Sequence, residues 1–202
     1  MAWVVFEGPD GVGKSTLIVK LRDELARRGV KVQVTGEPSE SPIGRLTREW
    51  LLKSQVNPPH IYALIFTADR YWHYYNIVKP ALESCTVVLQ ERYKESTIVY
   101  QAAMGLDIEW LEQLNKYLPD PDLTILLDLE VDKLITRLAS RGTAEIFEHR
   151  EFLEKVRDLY LRRAREKGFL VLYADDLEKT FRQALQYVLA LLENKRVLRE
   201  ID

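Results

Sequence analysis

Gly8-Pro9-Asp10-Gly11-Val12-Gly13-Lys14-Ser15 follows the apolar run Trp3-Val4-Val5-Phe6 and precedes a segment in which Leu17, Leu21 and Leu25 recur every four residues. The spacing G-x-x-x-x-G-K-[ST] between a strand and a helix is that of a phosphate-cradling loop. Its glycines let the backbone curl until several N–H groups point inward, and the helix behind it adds the positive end of its dipole. Lys14 can reach β- and γ-phosphates, and the Ser15 hydroxyl can ligate Mg²⁺.

The rest of the chain fits a fold that such a loop serves. Short β-rich runs alternate with amphipathic segments, the pattern of a parallel sheet covered on both faces. Strands are expected near Ala2–Glu7, Val30–Thr35, Cys85–Gln90, Leu123–Asp128 and Phe169–Tyr173. Helices are expected over Lys14–Arg28, Ile43–Leu52, Pro59–Glu83, Ser96–Ala103, Asp107–Tyr117, Asp132–Ser140, Glu151–Lys167 and Leu177–Lys195. Pro80 predicts a kink in the long third helix, and Asp175 and Asp176 are cap candidates for the last. The fold class is therefore α/β: three layers, a five-stranded parallel sheet with helices on both faces, built as in P-loop NTPases. A chain of 202 residues suits a single domain.

Composition excludes several classes of function. A net charge of −2 leaves no electrostatic footprint for nucleic acid. One cysteine, Cys85, excludes an internal disulfide and, heading an apolar run, reads as a buried, inert thiol. No stretch of 18 apolar residues and no signal-peptide pattern is present, so the expectation is a cytoplasmic protein without a membrane partner. His60, His73 and His149 lie too far apart in sequence for metal-ligand spacing.

In a doubly wound sheet, ligands gather beyond the carboxyl ends of the strands. Those ends carry Glu7-Gly8, Gly36-Glu37-Pro38, Glu91-Arg92-Tyr93 and Asp128, all expected to line one crevice. A small-molecule kinase also needs an acceptor pocket, cations to hold the acceptor and a lid that excludes water. Arg92 can fork onto an acceptor phosphate, and Glu91 can bind Mg²⁺. Arg137, Arg141 and Arg150 sit in a segment placed to close over the nucleotide, although each also reads as a solvated helix-end cation. Phe66 and Arg70, four apart on one helix face, suit stacking on a base and bonding its edge. By themselves they read more readily as a core ring and an arginine paired with Asp69 or a neighbour.

Together these residues resemble the thymidylate kinase family of nucleoside monophosphate kinases, over nearly the whole chain. Phe6 through Thr16 is similar to that family's phosphate loop, Glu37-Pro38 to its Arg-Glu-Pro loop, and Phe66-Thr67-Ala68-Asp69-Arg70 to its Phe-Ala-Ala-Asp-Arg helix. Glu91-Arg92-Tyr93 with Ser96, Tyr100 and Gln101 resembles its Asp-Arg-Tyr and Ser…Tyr-Gln signature. The resemblance implies ATP- and Mg²⁺-dependent phosphorylation of dTMP to dTDP, a step in dTTP synthesis. It implies that Gly8, Asp10, Gly11, Val12, Gly13, Lys14, Ser15 and Thr16 hold ATP, and that Ser15 and Glu91 hold the metal. It implies a substrate set of Glu37, Arg48, Phe66, Arg70, Arg92, Ser96, Thr97, Tyr100 and Gln101, with Tyr100 crowding the sugar 2′ position. Some members carry a catalytic arginine where this chain has Gly11, so catalysis here falls to Lys14, Asp10, Arg92 and the lid cations Arg137 and Arg141. Members commonly dimerise, and Ile61, Leu64 and Ile65 could form that contact or lie in the core.

Three positions depart from the family pattern. Gly36 replaces the first Arg of Arg-Glu-Pro, Ser39-Glu40-Ser41-Pro42 replaces a glycine-rich stretch, and Glu91 replaces an Asp. Glu91 also makes the site look locally like that of deoxynucleoside kinases, so a deoxynucleoside kinase or another nucleoside monophosphate kinase of the same fold is the alternative. A GTP-dependent switch would need Asn-Lys-x-Asp, and Asn115-Lys116-Tyr117-Leu118 lacks the Asp.

Overall fold

Five runs rich in valine, leucine and isoleucine pair as parallel strands: β1 (Trp3–Glu7), β2 (Val32–Gly36), β3 (Val87–Glu91), β4 (Leu123–Asp128) and β5 (Leu170–Tyr173). The computed structural model describes residues 1–51, 58–140 and 150–195. The strand order is β2-β3-β1-β4-β5, all neighbours parallel.

Alternation along the strands feeds both faces. Val4, Phe6, Ile125 and Leu127 pack on one face against Leu17, Leu21 and Leu25 of α1 (Lys14–Arg27) and Ala184, Val188 and Leu192 of α9 (Leu177–Asn194). On the other face Trp3, Val5 and Val88 meet Val78 and Ala81, the latter in α4 (Lys79–Glu83). There too Leu126 meets Val99 of α5 (Lys94–Ala103) and Val156 and Tyr160 of α8 (Arg150–Lys167). Both faces of the central strands are buried, which is why their sequences read as unbroken apolar runs. The remaining helices are α2 (Pro42–Leu46), α3 (Pro59–His73), α6 (Ile108–Asn115) and α7 (Val131–Ala139).

Three expectations are corrected. The irregularity in the long helix falls at Tyr74–Val78, which forms a π-helical turn closed by Lys79 N–H donating to the Tyr74 carbonyl. Pro80 lacks an N–H and its ring crowds the preceding turn. The wider turn relieves that clash on the N-terminal side, so the helix continues through Pro80 as α4. Cys85 is exposed at φ 59, in the turn that leads into β3. The strand starts two residues later than expected, and the thiol is left outside the core. The second helix also ends early: α2 passes into a π-helical turn over Thr47–Leu51, and the predicted final residue, Leu52, lies outside the described residues.

The topology positions the site. From β1 the chain moves to β2 on one side, and after β3 it crosses to β4 on the other. Phe6 pairs with Glu91 in register, so Glu7 and Arg92 emerge next to each other at the point where the winding reverses.

Candidate active site

The phosphate loop leaves β1 at Gly8 and enters α1 at Lys14. Gly8, Gly11 and Gly13 take φ values of 137, 79 and 106, a curl that residues with side chains adopt only under strain. A Cβ on Gly11 would lie 2.9 Å from the Leu138 side chain. Arginine at that position would therefore be driven into α7, which gives a steric reason for glycine there. Lys14 Nζ donates to the carbonyls of Gly8 and Pro9, both at 3.0 Å, and lies 3.9 Å from Glu91. Burial and the Arg92 charge pull the ammonium pKa down to about 7, against the opposing pull of Asp10, Glu91 and Glu7.

Arg92 meets the loop from β3. Its Nη2 donates to Asp10 at 2.5 Å and its Nη1 to Ser96 Oγ at 2.9 Å, while its guanidinium lies 5.5 Å from the Tyr100 ring centre. Tyr100 OH donates to the other Asp10 oxygen at 3.0 Å and accepts from the Asp10 N–H at 3.1 Å. Desolvation raises the Asp10 pKa, and Arg92 and Lys14 more than reverse this, so the carboxyl stays below the ordinary aspartate range. Arg92 itself has φ 64, a left-handed backbone rare for a residue with a side chain.

Behind this junction opens a cavity of about 300 Å³ lined by Glu37, Pro38, Tyr62, Phe66, Arg70, Arg92, Ser96, Thr97, Tyr100, Gln101, Met104 and Asp10. Its shape and aromatic walls suit a planar ring with a charged tail. Phe66 and Tyr62 stack on each other with centroids 6.3 Å apart. Arg70 is fully buried and donates to Glu37 at 2.8 Å, Asn115 at 2.9 Å and Thr97 at 2.8 Å. Two of its five N–H groups stay unused by these bonds. Its partner is thus Glu37 across the site and not the adjacent Asp69, which bonds Ser39 and Ser41. Gln101 Oε1 is buried and has no hydrogen-bond partner among the described residues.

The structure brings Asp10, Phe66, Arg70, Arg92, Ser96, Thr97, Tyr100, Gln101 and Glu37 around one cavity. Arg48 stands apart, bonding the Pro38 carbonyl and pairing with Glu40 at 2.9 Å. Arg137 also stands apart, on α7: its guanidinium donates to the carbonyls of Val12 at 3.1 Å, Ala174 at 2.9 Å and Asp175 at 3.3 Å. It borders a second cavity, about 190 Å³, walled by Gly11, Gly13, Thr16, Leu17 and Leu177. Arg150 pairs with Asp132 and with Glu154, and Arg141 lies outside the described residues. Of the strand-end carboxylates expected in the crevice, Glu7 is wholly buried and Asp128 is forked by Arg157 at 2.7 and 2.9 Å, so these two serve the framework. Tyr62 and Met104 escaped the sequence reading. Tyr62 had a usable signal: it precedes Phe66 by one helical turn.

The departures from the family pattern have local causes. Gly36 pairs in register with Glu91, and a Cβ there would lie 3.1 Å from the Glu91 carbonyl and 3.2 Å from its Cβ. Asp69 ties down the Ser39-Glu40-Ser41 loop by accepting from Ser39 N–H, Ser39 Oγ and Ser41 Oγ at 2.5–2.6 Å. Ser41 Oγ in turn caps α2 by accepting from Gly44 N–H at 2.8 Å.

A metal site must be asked of the oxygens present. Ser15 Oγ donates to Glu91 at 2.6 Å beside the phosphate loop. One hydroxyl and one carboxylate are hard donors, and no cluster of three or more His, Cys, Asp or Glu occurs among the described residues. Mg²⁺ is commonly held by one or two such protein oxygens plus substrate phosphates and water, so the donor set fits it. No helix among the described residues is long and apolar enough to cross a membrane.

The family model for thymidylate kinase matches residues 6–185. A probable thymidylate kinase of Caldivirga maquilingensis is 42% identical over 96% of this chain and 94% of its own length. One from Pyrobaculum aerophilum is 46% identical over 86% of this chain and 88% of its own length. A crystal structure of thymidylate kinase from Ehrlichia chaffeensis superposes with a TM-score of 0.75 at 26% identity, covering 93% of this chain and 98% of that one. With the phosphate loop, the Arg92 junction and the aromatic cavity in one chain, this protein belongs to the thymidylate kinase family.

Proposed function

We propose that the protein transfers the γ-phosphoryl group of ATP to dTMP, giving dTDP for dTTP synthesis, and does so in the cytoplasm as one kinase domain. The observation that carries this is the Arg92–Asp10 ion pair, 2.5 Å, which joins the phosphate loop to an aromatic cavity holding a buried acceptor, Gln101 Oε1, unpartnered among the described residues. Thymine presents an N3–H, and Gln101 Oε1 accepts it. Phe66 covers the ring face and Arg70 bonds its edge with an unused N–H. Tyr100, fixed by two bonds to Asp10, would crowd the sugar 2′ position and so favour a deoxyribose.

Arg92 exchanges its Asp10 contact for the acceptor phosphate, with Arg48 steadying the loop Pro38–Glu40 nearby. Lys14 releases the Gly8 and Pro9 carbonyls and turns to the donor phosphates. Ser15 and Glu91 would hold Mg²⁺, which when bound would supply charge neutralisation to the donor phosphates. The remaining positive charge comes from the lid, about residues 137–150, with Arg141 reaching the phosphoryl group and Arg137 steadying the phosphate loop from behind. Nothing in the reaction needs a covalent intermediate: positioning and charge stabilisation lower the barrier. The exposed Leu64 on α3, flanked by half-buried Ile61 and Ile65, supports a homodimer. Size-exclusion chromatography with light scattering tests it.

An acceptor panel tests the activity. With ATP and Mg²⁺, dTMP is expected to be phosphorylated at least ~10-fold better than UMP, and thymidine hardly at all. Preference for thymidine would overturn the reading in favour of a deoxynucleoside kinase.

A further inference from the structure

We infer that Glu7 is a positioning residue for phosphoryl transfer, the joint that holds the acceptor helix α5 in register with the phosphate loop. The inference rests on the kinase reading above.

Glu7 is the last residue of β1, one position before the loop, and is wholly buried. Its Oε1 accepts from Tyr93 N–H at 2.8 Å and from Ser96 N–H at 3.2 Å. Its Oε2 accepts from Ser96 Oγ at 2.6 Å and from Tyr160 OH at 3.2 Å. Four donors converge on two oxygens; burial raises the Glu7 pKa, and the bonds from Ser96 and Tyr93 together with the Arg92 charge oppose that rise. Tyr93 occupies the cap position of α5 and makes no capping bond with its own side chain. Glu7, from another element, takes the orphan N–H groups that a local cap would take.

The consequence reaches Arg92. Ser96 Oγ accepts from Arg92 Nη1 and donates its own hydroxyl hydrogen bond to Glu7, so one chain of bonds runs from the guanidinium to the strand that carries the loop. Arg92 also holds a left-handed backbone, φ 64, a conformation that lasts only where neighbours fix both sides. Its N–H donates to the Phe6 carbonyl at 3.0 Å on one side, and Glu7 fixes Tyr93 on the other. One to two turns along α5 stand Thr97, Tyr100 and Gln101, so a shift at its first turn moves the acceptor wall as a body. Tyr160 brings in α8, the helix that follows the lid segment.

Replacing Glu7 with Gln keeps the shape and turns one acceptor into a donor facing two hydroxyls. The expected result for Glu7→Gln is a kcat lowered about 30-fold, with the KM for ATP within about twofold and the Kd for dTMP within about fivefold. In an Arg92→Lys background the same change should cost less than about threefold, because the two residues act through one chain of bonds. A purely structural carboxylate would lower the melting temperature and multiply its effect undiminished on Arg92→Lys. Tyr160→Phe, which keeps the packing, should lower kcat about threefold and be equally non-additive. It decides the matter if Glu7→Gln does not fold. Wild-type turnover in either folded variant, or full additivity with Arg92→Lys, overturns the inference. If the wild-type protein fails to phosphorylate dTMP, the kinase reading fails first, and the two failures are told apart by that control.

Discussion

The acceptor wall and the donor loop meet at Arg92 and Asp10, and they are built on opposite plans. Around the acceptor cavity the cations are bonded to side chains of the framework. Glu37 holds Arg70 at 2.8 Å while also taking Gln90 at 3.1 Å and His73 at 3.3 Å, and Glu7 holds the serine that holds Arg92. Around the donor loop the cations are bonded to backbone carbonyls: Lys14 to Gly8 and Pro9, Arg137 to Val12, Ala174 and Asp175. In the first set Arg70 keeps N–H groups spare for a ligand, and only Arg92 has a contact to give up, the one to Asp10. The second set uses bonds that a polyphosphate must displace. Acceptor binding should therefore be nearly indifferent to the donor loop, whereas donor binding should carry the cost of breaking internal bonds.

Lys14→Ala is the severest test of that division. Turnover should fall about 10³-fold or more, since the ammonium follows the transferring group. The dTMP affinity, measured by calorimetry, should stay within about twofold, because the acceptor wall does not include Lys14. A parallel collapse of dTMP binding would show that the two halves are one structure.

Arg92→Ala should act on both sides. It removes the acceptor-phosphate grip and leaves Asp10 without its cation, so kcat/KM for dTMP should fall about 10²-fold, with ATP affinity changed far less. Arg92→Lys should recover part of the loss, since charge returns without the fork geometry.

How much of this was legible in the sequence differs along the chain for physical reasons. β4 was readable to the residue because Pro119 and Pro121 precede a run, Leu123 to Leu127, that nothing interrupts, and Asp128 closes it. The ends of the long helix, near Pro59 and Glu83, were equally plain, yet Pro80 misdirected the position of its irregularity. A proline acts on the carbonyls before it, and which turn absorbs the strain depends on packing over Tyr74–Val78. The phosphate loop and the Phe66…Arg70 face carried their chemistry in their spacing. Glu7 and Glu37 did not: each looked like a crevice carboxylate, and only the crossing of strands with α3 and α5 turns them into buried anchors for distant arginines. The contacts of Arg48 and Arg137 were invisible for a related reason, since their partners include backbone carbonyls that no pattern of residue types reveals.

The pH response separates the halves again. With a pKa near 7, the Lys14 ammonium is half deprotonated in the free protein at neutral pH. Between pH 7 and the ordinary lysine value of 10.5, the unfolded chain carries a proton that the native one lacks. This residue therefore makes folding more favourable as pH rises through that window, and its penalty is largest below pH 7. Donor phosphates reverse the sign locally, because they favour the ammonium. ATP binding above pH 7 should take up close to one proton, read from calorimetry in buffers of different ionisation enthalpy. Affinity should weaken by up to about tenfold per pH unit above 7. Binding of dTMP should show no such uptake in the same range, and an equal uptake would erase the distinction between the two plans.

The smallest expected effect lies at Arg137, and it bears on which cation reaches the transferring phosphoryl group. Its three bonds run to carbonyls of the loop and of the Ala174–Asp175 turn, beside the cavity walled by Gly11 and Thr16. From there its charge steadies the loop from behind, and its planar group can lie against the donor base. Arg137→Ala should then raise the KM for ATP about three- to tenfold and lower kcat by about threefold or less. Arg141→Ala, tested alongside, should show the reverse pattern: a large loss of kcat with donor affinity nearly intact. If instead Arg137→Ala loses kcat by about 10²-fold or more at saturating ATP, the guanidinium must leave its carbonyls when the donor binds and swing to the phosphoryl group, and the donor side then rearranges more than bonds to Lys14 alone require.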